Sequence, residues 1–410
     1  MIDEIDVAII GAGAAGIAAA RRLSGGPLSF LVLEASARIG GRASTERHAG
    51  LALDMGCEWL HSGDRNPWSQ LADDFDLTLD RRAPVWDEQY RDLGFSAAEQ
   101  AEAHRAFAQW TRRLRFHPPP SDCAADALEA ASEWNAYIRA NVSYISGAAL
   151  ERISVADYVA YDEASTGVNW RVPSGYGALI ARAMPESVDF RLATPVHAIG
   201  LTANGVTLAT PRGDLRARAA IVTASTEVLA REKLALPREL EAWRLAASRL
   251  PLGRNEKLFF EIVGAAPLEP DSHVFGDPRD AATGSYLIRP HGWSVIEVYL
   301  GGAGAQLLVE EGTQAGFARA EDQLARLFGA DIRKNLRPLA ATSWSEESFI
   351  GGAYSCALPG HAGARRALAR PFENRIFFAG EAAHPHDFTA AHGAYATGLR
   401  AAEEVLAALA

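Results

Sequence analysis

Short apolar runs alternate with amphipathic stretches along the first part of the chain, which predicts an α/β protein. Residues 6–10 and 30–33 are compact runs rich in Val, Ile and Leu, typical of buried parallel strands. Between them, an alanine-rich stretch over residues 17–23 has good helix propensity, and a Ser-Gly-Gly-Pro segment ends it. The order strand, helix, strand indicates a parallel sheet at the start of the chain.

The rest of the chain alternates between helical and strand patterns. Ala103, Phe107, Trp110 and Leu114 fall at helical spacing, whereas residues 194–224 contain three strand-like runs separated by Asn-Gly and Arg-Gly-Asp turns. Further helices are predicted at residues 124–141, from residue 155, at 314–328 and after residue 392, and further strands at 257–262, 294–300 and 375–379. A chain of 410 residues exceeds the size at which one core keeps growing, so we expect two domains.

Composition and charge narrow the possible partners. The net charge of -11 disfavours nucleic acid, and no run reaches the about 20 apolar residues of a membrane span. Three dispersed cysteines (Cys57, Cys123 and Cys356) argue against a disulfide framework or a zinc site. Acidic residues at Asp3, Glu4 and Asp6 do not fit a signal peptide. We therefore expect a cytoplasmic protein that binds neither membrane nor nucleic acid.

A glycine motif follows the first strand and opens the first helix. Gly11 permits a tight turn, Gly13 lets the backbone approach a pyrophosphate, and Gly16 lets helix and strand pack closely. Glu34, at the end of the second strand, can accept hydrogen bonds from a ribose. The residues that this motif assigns to cofactor binding are Gly11, Gly13, Ala14, Ala15, Gly16 and Glu34. The motif predicts a dinucleotide site but does not distinguish FAD from NAD.

Two segments downstream carry a family resemblance. Residues 38–42 have the pattern R-x-G-G-R, and residues 54–61 have the pattern D-x-G-x-x-W-L-H. In both, the chain resembles the flavin-containing amine oxidases, the family of the monoamine and polyamine oxidases. The resemblance implies FAD as the cofactor, with an arginine contact to its diphosphate. It assigns Arg42, Gly56, Cys57, Glu58 and Trp59 to FAD binding.

The resemblance continues at the C-terminal end. Residues 375–381 form a strand ending in a Gly-Glu pair, and residues 392–402 match the family's H-G-A-Y-x-[ST]-G-x-x-A-A segment. By resemblance, Glu381 contacts the ribityl or pyrophosphate part of FAD, and the last helix points N–H groups at the flavin ring. The cofactor residues that it adds are Val196, Trp344, Gly380, Glu381, Ala390 and Ala391.

The fold class that follows is α/β. It consists of a discontinuous Rossmann-like FAD-binding domain and an α+β substrate-binding domain with a mixed sheet and helices. The FAD-binding domain is expected over residues 1–85, 165–235 and 345–410, and the substrate-binding domain over residues 86–164 and 236–344.

Three residues are expected to act in catalysis. Lys257 matches the family lysine that approaches flavin N5 through a water, and Tyr354 matches one wall of an aromatic cage that orients the amine. His61 matches a histidine of spermine and acetylpolyamine oxidases, although a purely structural histidine is an equal alternative. Ala353 stands where monoamine oxidases carry the cysteine bonded to flavin, so we expect non-covalent FAD.

The second cage wall departs from the family. The position where many relatives have Tyr is Ala390, and nearby Phe388 is a candidate substitute. His384, His386 and Asp387 form a polar cluster that is expected to line the entrance rather than to hold a metal.

The expected reaction is hydride transfer from the amine Cα–H to flavin N5. It yields an imine or aldehyde, with dioxygen as acceptor and hydrogen peroxide as product. A polyamine or secondary amine is favoured. The alternatives are an L-amino-acid oxidase, a carbon–carbon desaturase of the same fold, or a non-enzymatic flavin-binding protein. The sequence leaves the oligomeric state open.

Overall fold

The structure, a computed structural model, describes residues 4–266 and 268–410, so that Asp3 lies outside the described residues. The strands are β1 (Glu4–Ile10), β2 (Phe30–Leu33), β3 (Thr45–His48), β4 (Leu51–Asp54), β5 (Trp59–His61), β6 (Asn169–Arg171), β7 (Phe190–Arg191), β8 (Ala198–Leu201), β9 (Val206–Thr210), β10 (Gly213–Val222), β11 (Asn255–Ile262), β12 (Ser272–Phe275), β13 (Ser285–Ile288), β14 (Val295–Gly301), β15 (Leu336–Ala341) and β16 (Ile376–Phe378). The helices are α1 (Ala14–Leu23), α2 (Pro67–Asp74), α3 (Ala97–Phe116), α4 (Asn135–Ser146), α5 (Val155–Ala164), α6 (Tyr176–Arg182), α7 (Thr226–Ala230), α8 (Glu241–Ser248), α9 (Gly302–Glu311), α10 (Thr313–Phe328), α11 (Ala364–Ala369) and α12 (Ala391–Leu409).

The first sheet joins the two ends of the chain. Its strand order is β7-β2-β1-β10-β9-β8, and β16 pairs with the second half of β10. Strands β7, β2, β1, β10 and β16 are parallel, while β9 and β8 form an antiparallel meander. Val7 and Ile9 of β1 belong to the core that includes α1 and α12, whereas Ala8 and Ile10 belong to the core on the opposite face. A strand buried on both faces explains the continuous apolar run in the sequence.

The second sheet is antiparallel, with the order β12-β13-β14-β11-β15. Leu258, Phe260 and Val298 pack in one core with Phe317 and Leu324 of α10. Because side chains alternate along a strand, Lys257 and Glu297 point to the other face. The two-part α/β fold class predicted from the sequence is therefore confirmed.

The predicted helix over residues 124–141 is wrong in its first half. A 3₁₀ turn covers Ala124–Ala127, and regular helix begins only at α4. The backbone carbonyl of Ala124 accepts a hydrogen bond from the Trp110 indole at 3.1 Å, and that of Ala127 accepts one from Arg113 at 2.6 Å. These carbonyls are therefore bonded to α3 instead of to the next turn of their own segment.

The division into two domains stays a prediction. Residues 240–250, which it assigns to the substrate-binding domain, contribute Leu240, Ala246, Ala247 and Leu250 to the core of the first sheet. We therefore propose to move the boundary from residue 236 to about residue 251. Among the described residues, no helix has the length and apolar character needed to cross a membrane.

A buried ion pair ties α5 to α11. The guanidinium of Arg365 contacts the Asp157 carboxylate through two hydrogen bonds, of 2.6 and 2.8 Å, and the two side chains are only 2% and 3% exposed. Arg365 also donates to the Ser355 hydroxyl at 2.9 Å. The pair thus connects the helical segment α3–α5 with the C-terminal part of the chain.

Replacing Arg365 by Met should lower the free energy of unfolding by about 3–5 kcal/mol, because it leaves the Asp157 carboxylate buried without its partner. Denaturant unfolding measures the loss. The matched control is Arg366→Met, because Arg366 is the exposed neighbour on the same helix and should change stability by at most about 0.5 kcal/mol. Equal stability of the two variants would contradict the prediction.

Candidate active site

One cavity of about 1320 Å³ is lined by residues from both sheets and from the helical segment α3–α5. It exceeds the roughly 300–1,000 Å³ of an ordinary small-molecule pocket. Every residue assigned by the sequence to cofactor binding or catalysis lines this cavity, with the exception of Gly16. Those that do are Gly11, Gly13, Ala14, Ala15, Glu34, Arg42, Gly56, Cys57, Glu58, Trp59, His61, Val196, Lys257, Trp344, Tyr354, Gly380, Glu381, Ala390 and Ala391. Their individual roles stay predictions.

Two glycines of the glycine motif have different roles, one in protein packing and one beside the cavity. A Cβ on Gly16 would lie 1.9 Å from the Gly11 carbonyl oxygen, so Gly16 serves the packing of α1 rather than the cavity. A Cβ on Gly13 would meet no protein atom closer than 3.8 Å, so protein packing does not require glycine there. Gly13 is also the N-cap of α1 and provides no side-chain cap, which leaves N–H groups available to an anion. This arrangement fits a diphosphate.

Glu34 follows β2 and lines the cavity beside the glycine motif. Its carboxylate accepts the Ala12 N–H at 2.7 Å and both the N–H and the hydroxyl of Ser36 at 2.8 and 2.9 Å. Three of about four acceptor positions are therefore used, and one on Oε2 remains for a ribose hydroxyl. Together with Gly13 and the arginines Arg38 and Arg42 on the cavity wall, these donors and acceptors fit FAD. We call this part of the cavity, lined by Gly11, Gly13, Glu34 and Arg42, the cofactor end.

Glu381 forms an ion pair with Arg42 in addition to lining the cavity. Its carboxylate accepts from Arg42 at 3.0 Å, from the Ser355 N–H and hydroxyl at 3.2 and 2.7 Å, and from the Thr389 N–H at 3.2 Å. Burial raises the pKa of Glu381, but Arg42 and then Arg365 outweigh it, so the pKa lies below its ordinary value. The expected direct contact of Glu381 to the ribityl or pyrophosphate region would therefore have to share a carboxylate that already accepts four bonds.

Lys257 is buried and has a complete set of protein partners. Its ammonium contacts Glu297 at 2.8 Å, Glu58 at 2.9 Å and the Asp54 carbonyl oxygen at 3.0 Å. Burial opposes the charge, but Glu297 and Glu58 outweigh it and raise the pKa of Lys257 above its ordinary value. Because an ammonium has three N–H donors, the water contact expected for this lysine requires one of these partners to be given up.

The ionisation of Glu58 and that of Glu297 depend on each other, because both carboxyl groups contact Lys257. Burial and then the Glu58 carboxylate raise the pKa of Glu297. One lysine between two buried carboxyl groups thus favours a state with one proton shared by the acids. Glu297 and Tyr299 were not predicted from the sequence. They are the alternate polar positions of the otherwise apolar strand β14, and that alternation was the available signal.

Tyr354 is fixed by hydrogen bonds at its hydroxyl. It donates to the carbonyl oxygen of Tyr144 on α4 and accepts from the Tyr299 hydroxyl, 2.8 Å away. Burial raises the pKa of Tyr354 well above its ordinary value, so the phenol is neutral. The ring therefore has a fixed orientation on the cavity wall.

The suggestion that Phe388 replaces the second cage wall is wrong. Phe388 does not line the cavity, because its ring packs under the Arg365 guanidinium, 3.4 Å from the ring centroid. Tyr161 of α5 lines the cavity instead, and its ring centroid lies 5.6 Å from that of Phe388. Tyr161 was not predicted from the sequence, because no motif marks it and its helix belongs to a distant segment of the chain.

His61 is hydrogen-bonded through one of its two ring nitrogens. Its Nδ1 lies 2.8 Å from the Asn169 Oδ1, and the Asn169 amide nitrogen donates to the Gly167 carbonyl, so Nδ1 carries the proton. Burial lowers the pKa of His61, which keeps the ring neutral. Nε2 is then an acceptor.

The polar cluster of His384, His386 and Asp387 does not line the cavity, contrary to expectation. Its three side chains are close enough together to surround an ion. However, the Asp387 carboxylate is bonded to Arg65 through both oxygens, and the His384 Nδ1 accepts the Asp387 N–H at 2.7 Å. These contacts give the cluster a structural partner in Arg65.

Comparisons with known proteins show the family and the fold of the chain. The sequence profile of a family described as flavin containing amine oxidoreductase matches residues 14–94 and 89–406. Polyamine oxidase 4 of Oryza sativa subsp. japonica is 27% identical over 97% of this chain and 88% of its own length. Lysine-specific histone demethylase 1B of Mus musculus is 23% identical over 98% of this chain and 53% of its own length. A solved structure of putrescine oxidase bound to putrescine superimposes with a TM-score of 0.77, at 18% identity and 99% coverage of both chains.

Replacing Glu381 by Ala should weaken FAD binding at least about tenfold, because it releases Arg42 and removes a charge-assisted hydrogen bond. The FAD dissociation constant, measured by flavin fluorescence on reconstitution of the stripped protein, tests this. Glu373→Ala is the control, because Glu373 is an exposed residue just before β16 and pairs with Arg375. Unchanged FAD affinity in the Glu381 variant would contradict the positioning of Arg42.

Proposed function

The chain belongs to the family of flavin-containing amine oxidoreductases, and we propose that it oxidises a polyamine or a secondary amine with non-covalently bound FAD. The observation that carries the proposal is the continuity of one cavity. It joins the cofactor end, in the Rossmann-like sheet, to a part lined by aromatic rings and by the buried Lys257. We call this second part, lined by Trp86, Asp87, Tyr137, Glu297 and Tyr354, the aromatic chamber.

The non-covalent state follows from one side chain. Ala353 lines the cavity and its carbonyl oxygen accepts a hydrogen bond from Arg42. A methyl group has no sulfur to form a thioether with a flavin, so FAD would be held by hydrogen bonds and packing alone. Helix α12 begins at Ala391, and its N-cap Ala390 provides no side-chain hydrogen bond to the first N–H groups. The positive end of this helix dipole therefore also faces the cavity.

When bound, FAD supplies the oxidised ring that accepts the hydride equivalent from the carbon next to the amine nitrogen. The residues of the protein bind and orient the amine for this transfer. Tyr354 and Tyr161 present rings on the cavity wall, which attract a cationic or partly charged nitrogen. Lys257 and its two glutamates add no net charge when one proton is shared, which suits an amine that reacts through its lone pair. We further propose dioxygen as the acceptor and hydrogen peroxide as product.

The composition of the cavity favours this reaction over the alternatives. An L-amino-acid oxidase needs a free cation for the substrate carboxylate. Among the described residues, the cavity-lining arginines, Arg38 and Arg42, are both in the cofactor part. The Lys257 ammonium is already paired with two glutamates, and the Lys233 ammonium donates to the Ser348 carbonyl. A desaturase needs an apolar chamber, whereas Glu58, Lys257 and Glu297 are charged or polar groups in this one. A cytoplasmic location is also proposed, because the three cysteines are free thiols.

The direct test is anaerobic mixing of the purified holoprotein with polyamines, secondary amines, primary monoamines and L-amino acids. We expect amines to bleach the visible absorption band of the oxidised flavin and amino acids to leave it unchanged. Admission of air should restore the band and release hydrogen peroxide. A flavin that no amine reduces would overturn the proposal, and reduction by amino acids alone would favour the L-amino-acid oxidase.

Lys257→Met should keep FAD bound but slow flavin reduction or reoxidation at least about tenfold, because it removes the charge that organises Glu58 and Glu297. Stopped-flow absorbance separates the two half-reactions. Lys334→Met is the matched control, because Lys334 is 78% exposed and pairs with Asp331 at the surface. Unchanged rates in both half-reactions would remove Lys257 from the mechanism.

A further inference from the structure

One face of the second sheet forms a wall of the cavity, and its residues lie in two rows across the strands. Residues that are paired in register on neighbouring strands point to the same face of a sheet. The first row contains Phe275, Ser285, Tyr299 and Lys257, and the second contains His273, Leu287 and Glu297. All of them line the cavity. Ser285 and His273 form a polar pair in this wall, separate from the charged groups around Lys257.

The proton of the Ser285 hydroxyl is used by His273. The His273 Nδ1 lies 3.0 Å from the Glu88 carbonyl oxygen, which can only accept, so Nδ1 carries the ring proton. The Nε2 atom, 2.8 Å from the Ser285 hydroxyl oxygen, therefore accepts the hydrogen of that hydroxyl. Burial lowers the pKa of His273 to about 4, so the ring is neutral at neutral pH. The pair consequently keeps this direction of its hydrogen bond.

The Ser285 hydroxyl oxygen can therefore only accept a hydrogen bond from a ligand. A hydroxyl has one donor and two acceptor lone pairs, and the donor is already used. Within the described part of the chain, no side chain donates to these lone pairs. Ser285 is half-buried and lines the cavity. A ligand group beside it has to bring an O–H or N–H, because an ether oxygen there would face another acceptor.

The neighbours of Ser285 favour a donor without charge. Its register partners on the two adjacent strands, Phe275 and Tyr299, carry no charge. The acid of this wall, Glu297, is paired with the Lys257 ammonium at 2.8 Å. A buried ammonium needs a counter-ion, whereas an alcohol or an amide N–H needs only an acceptor. Ser285 provides that acceptor.

The strand order sets the separation between Ser285 and Lys257. Ser285 lies on β13 and Lys257 on β11, with β14 between them. Neighbouring strands are about 4.8 Å apart, so the two positions are about 10 Å apart across the sheet. The ring of Tyr299 lies between them in the same row, and its hydroxyl is bonded to that of Tyr354. These rings give an alkyl chain an apolar surface between the two positions.

We propose that Ser285 is a substrate-binding residue that accepts a hydrogen bond from an uncharged O–H or N–H group of the amine, remote from the reacting nitrogen. His273 is its positioning residue, because it holds the Ser285 proton. The inference rests on the proposed function. It adds to that function a substrate class, amines whose alkyl chain ends in a neutral hydrogen-bond donor.

The test compares kcat/KM for an ω-amino alcohol, its methyl ether and the alkylamine of the same length. In the unmodified protein the alcohol should be preferred to the ether about two- to tenfold, the net worth of one neutral hydrogen bond. Ser285→Ala should remove this preference, whereas Ser285→Thr keeps a hydroxyl and should retain it. The ratio of ether to alkylamine, neither of which has a donor, should stay the same. A secondary amide compared with its N-methylated form tests the N–H donor and shows which donor is preferred.

His273→Leu tests the positioning role. Without the imidazole, the Ser285 hydroxyl is free to donate, so the methyl ether should improve relative to the alcohol. A merely structural role of His273 would lower the rates with both compounds equally. If this variant fails to fold and bind FAD, the two Ser285 variants decide the proposal.

Binding without turnover gives a second readout. Calorimetric titration of the dithionite-reduced holoprotein measures the affinities for the alcohol and the ether, and Ser285→Ala should make them equal. Ser272→Ala is the matched control on the neighbouring strand. The Ser272 hydroxyl donates to the Glu269 carbonyl oxygen at 2.8 Å, and Ser272 does not line the cavity. This control should leave every ratio as in the unmodified protein.

The outcomes separate this inference from the proposed function. If the alcohol and the ether are oxidised equally well and Ser285→Ala changes neither, Ser285 does not bind substrate, although amine oxidation stands. An equal loss in Ser272→Ala would also overturn the assignment. If an α,ω-diamine loses as much as the alcohol in Ser285→Ala, the restriction to uncharged donors is wrong. If no amine reduces the flavin, the proposed function fails, and the calorimetric ratio alone then decides whether Ser285 binds the alcohol.

Discussion

One buried carboxylate connects the segments that form the cofactor end of the cavity. Glu381, at the end of β16, accepts hydrogen bonds from Arg42 near the start of the chain, from Ser355, and from Thr389 just before α12. Ser355 in turn accepts from Arg365, which is paired with Asp157 of α5. A buried charge is stable only when such partners surround it. The position of Arg42, the loop before α12 and the helical segment are thereby fixed relative to one another.

Charge neutrality governs the other part of the cavity in the same way. Lys257 would be costly in a buried site without Glu58 and Glu297, and these two acids would repel each other without Lys257. Glu58 directly precedes β5, whereas Lys257 and Glu297 lie on β11 and β14 of the second sheet. The charges therefore balance only when the second sheet packs against the segment that contains Glu58. When the two acids share one proton, this balance leaves the Lys257 side of the aromatic chamber without net charge.

Most of the cofactor end was predictable because its residues are close in sequence or belong to recognisable motifs. Gly11, Gly13 and Glu34 follow from a strand–helix–strand pattern, and Arg42 and Glu381 from segments with a family resemblance. The chamber was less predictable. Phe388 lies near Ala390 in sequence but packs on Arg365, while Tyr161, more than two hundred residues earlier, lines the wall. The continuous helix expected over residues 124–141 is broken because its carbonyls bond to Trp110 and Arg113 of another helix.

The sequence by itself determined the α/β class and the position of the glycine motif, because strand periodicity and turn chemistry are local properties. The identity of the cofactor came from the sequence only through the family resemblance of the segments at 38–42, 54–61 and 375–402. The sequence also determined that position 353 has no sulfur to bond a flavin. The tertiary structure alone decided that Lys257 has two acidic partners, that Glu381 holds Arg42, and that Tyr161 rather than Phe388 lines the cavity. These are relations between side chains on different elements. They depend on how the two sheets and the helical segment pack, and no short stretch of sequence encodes that packing.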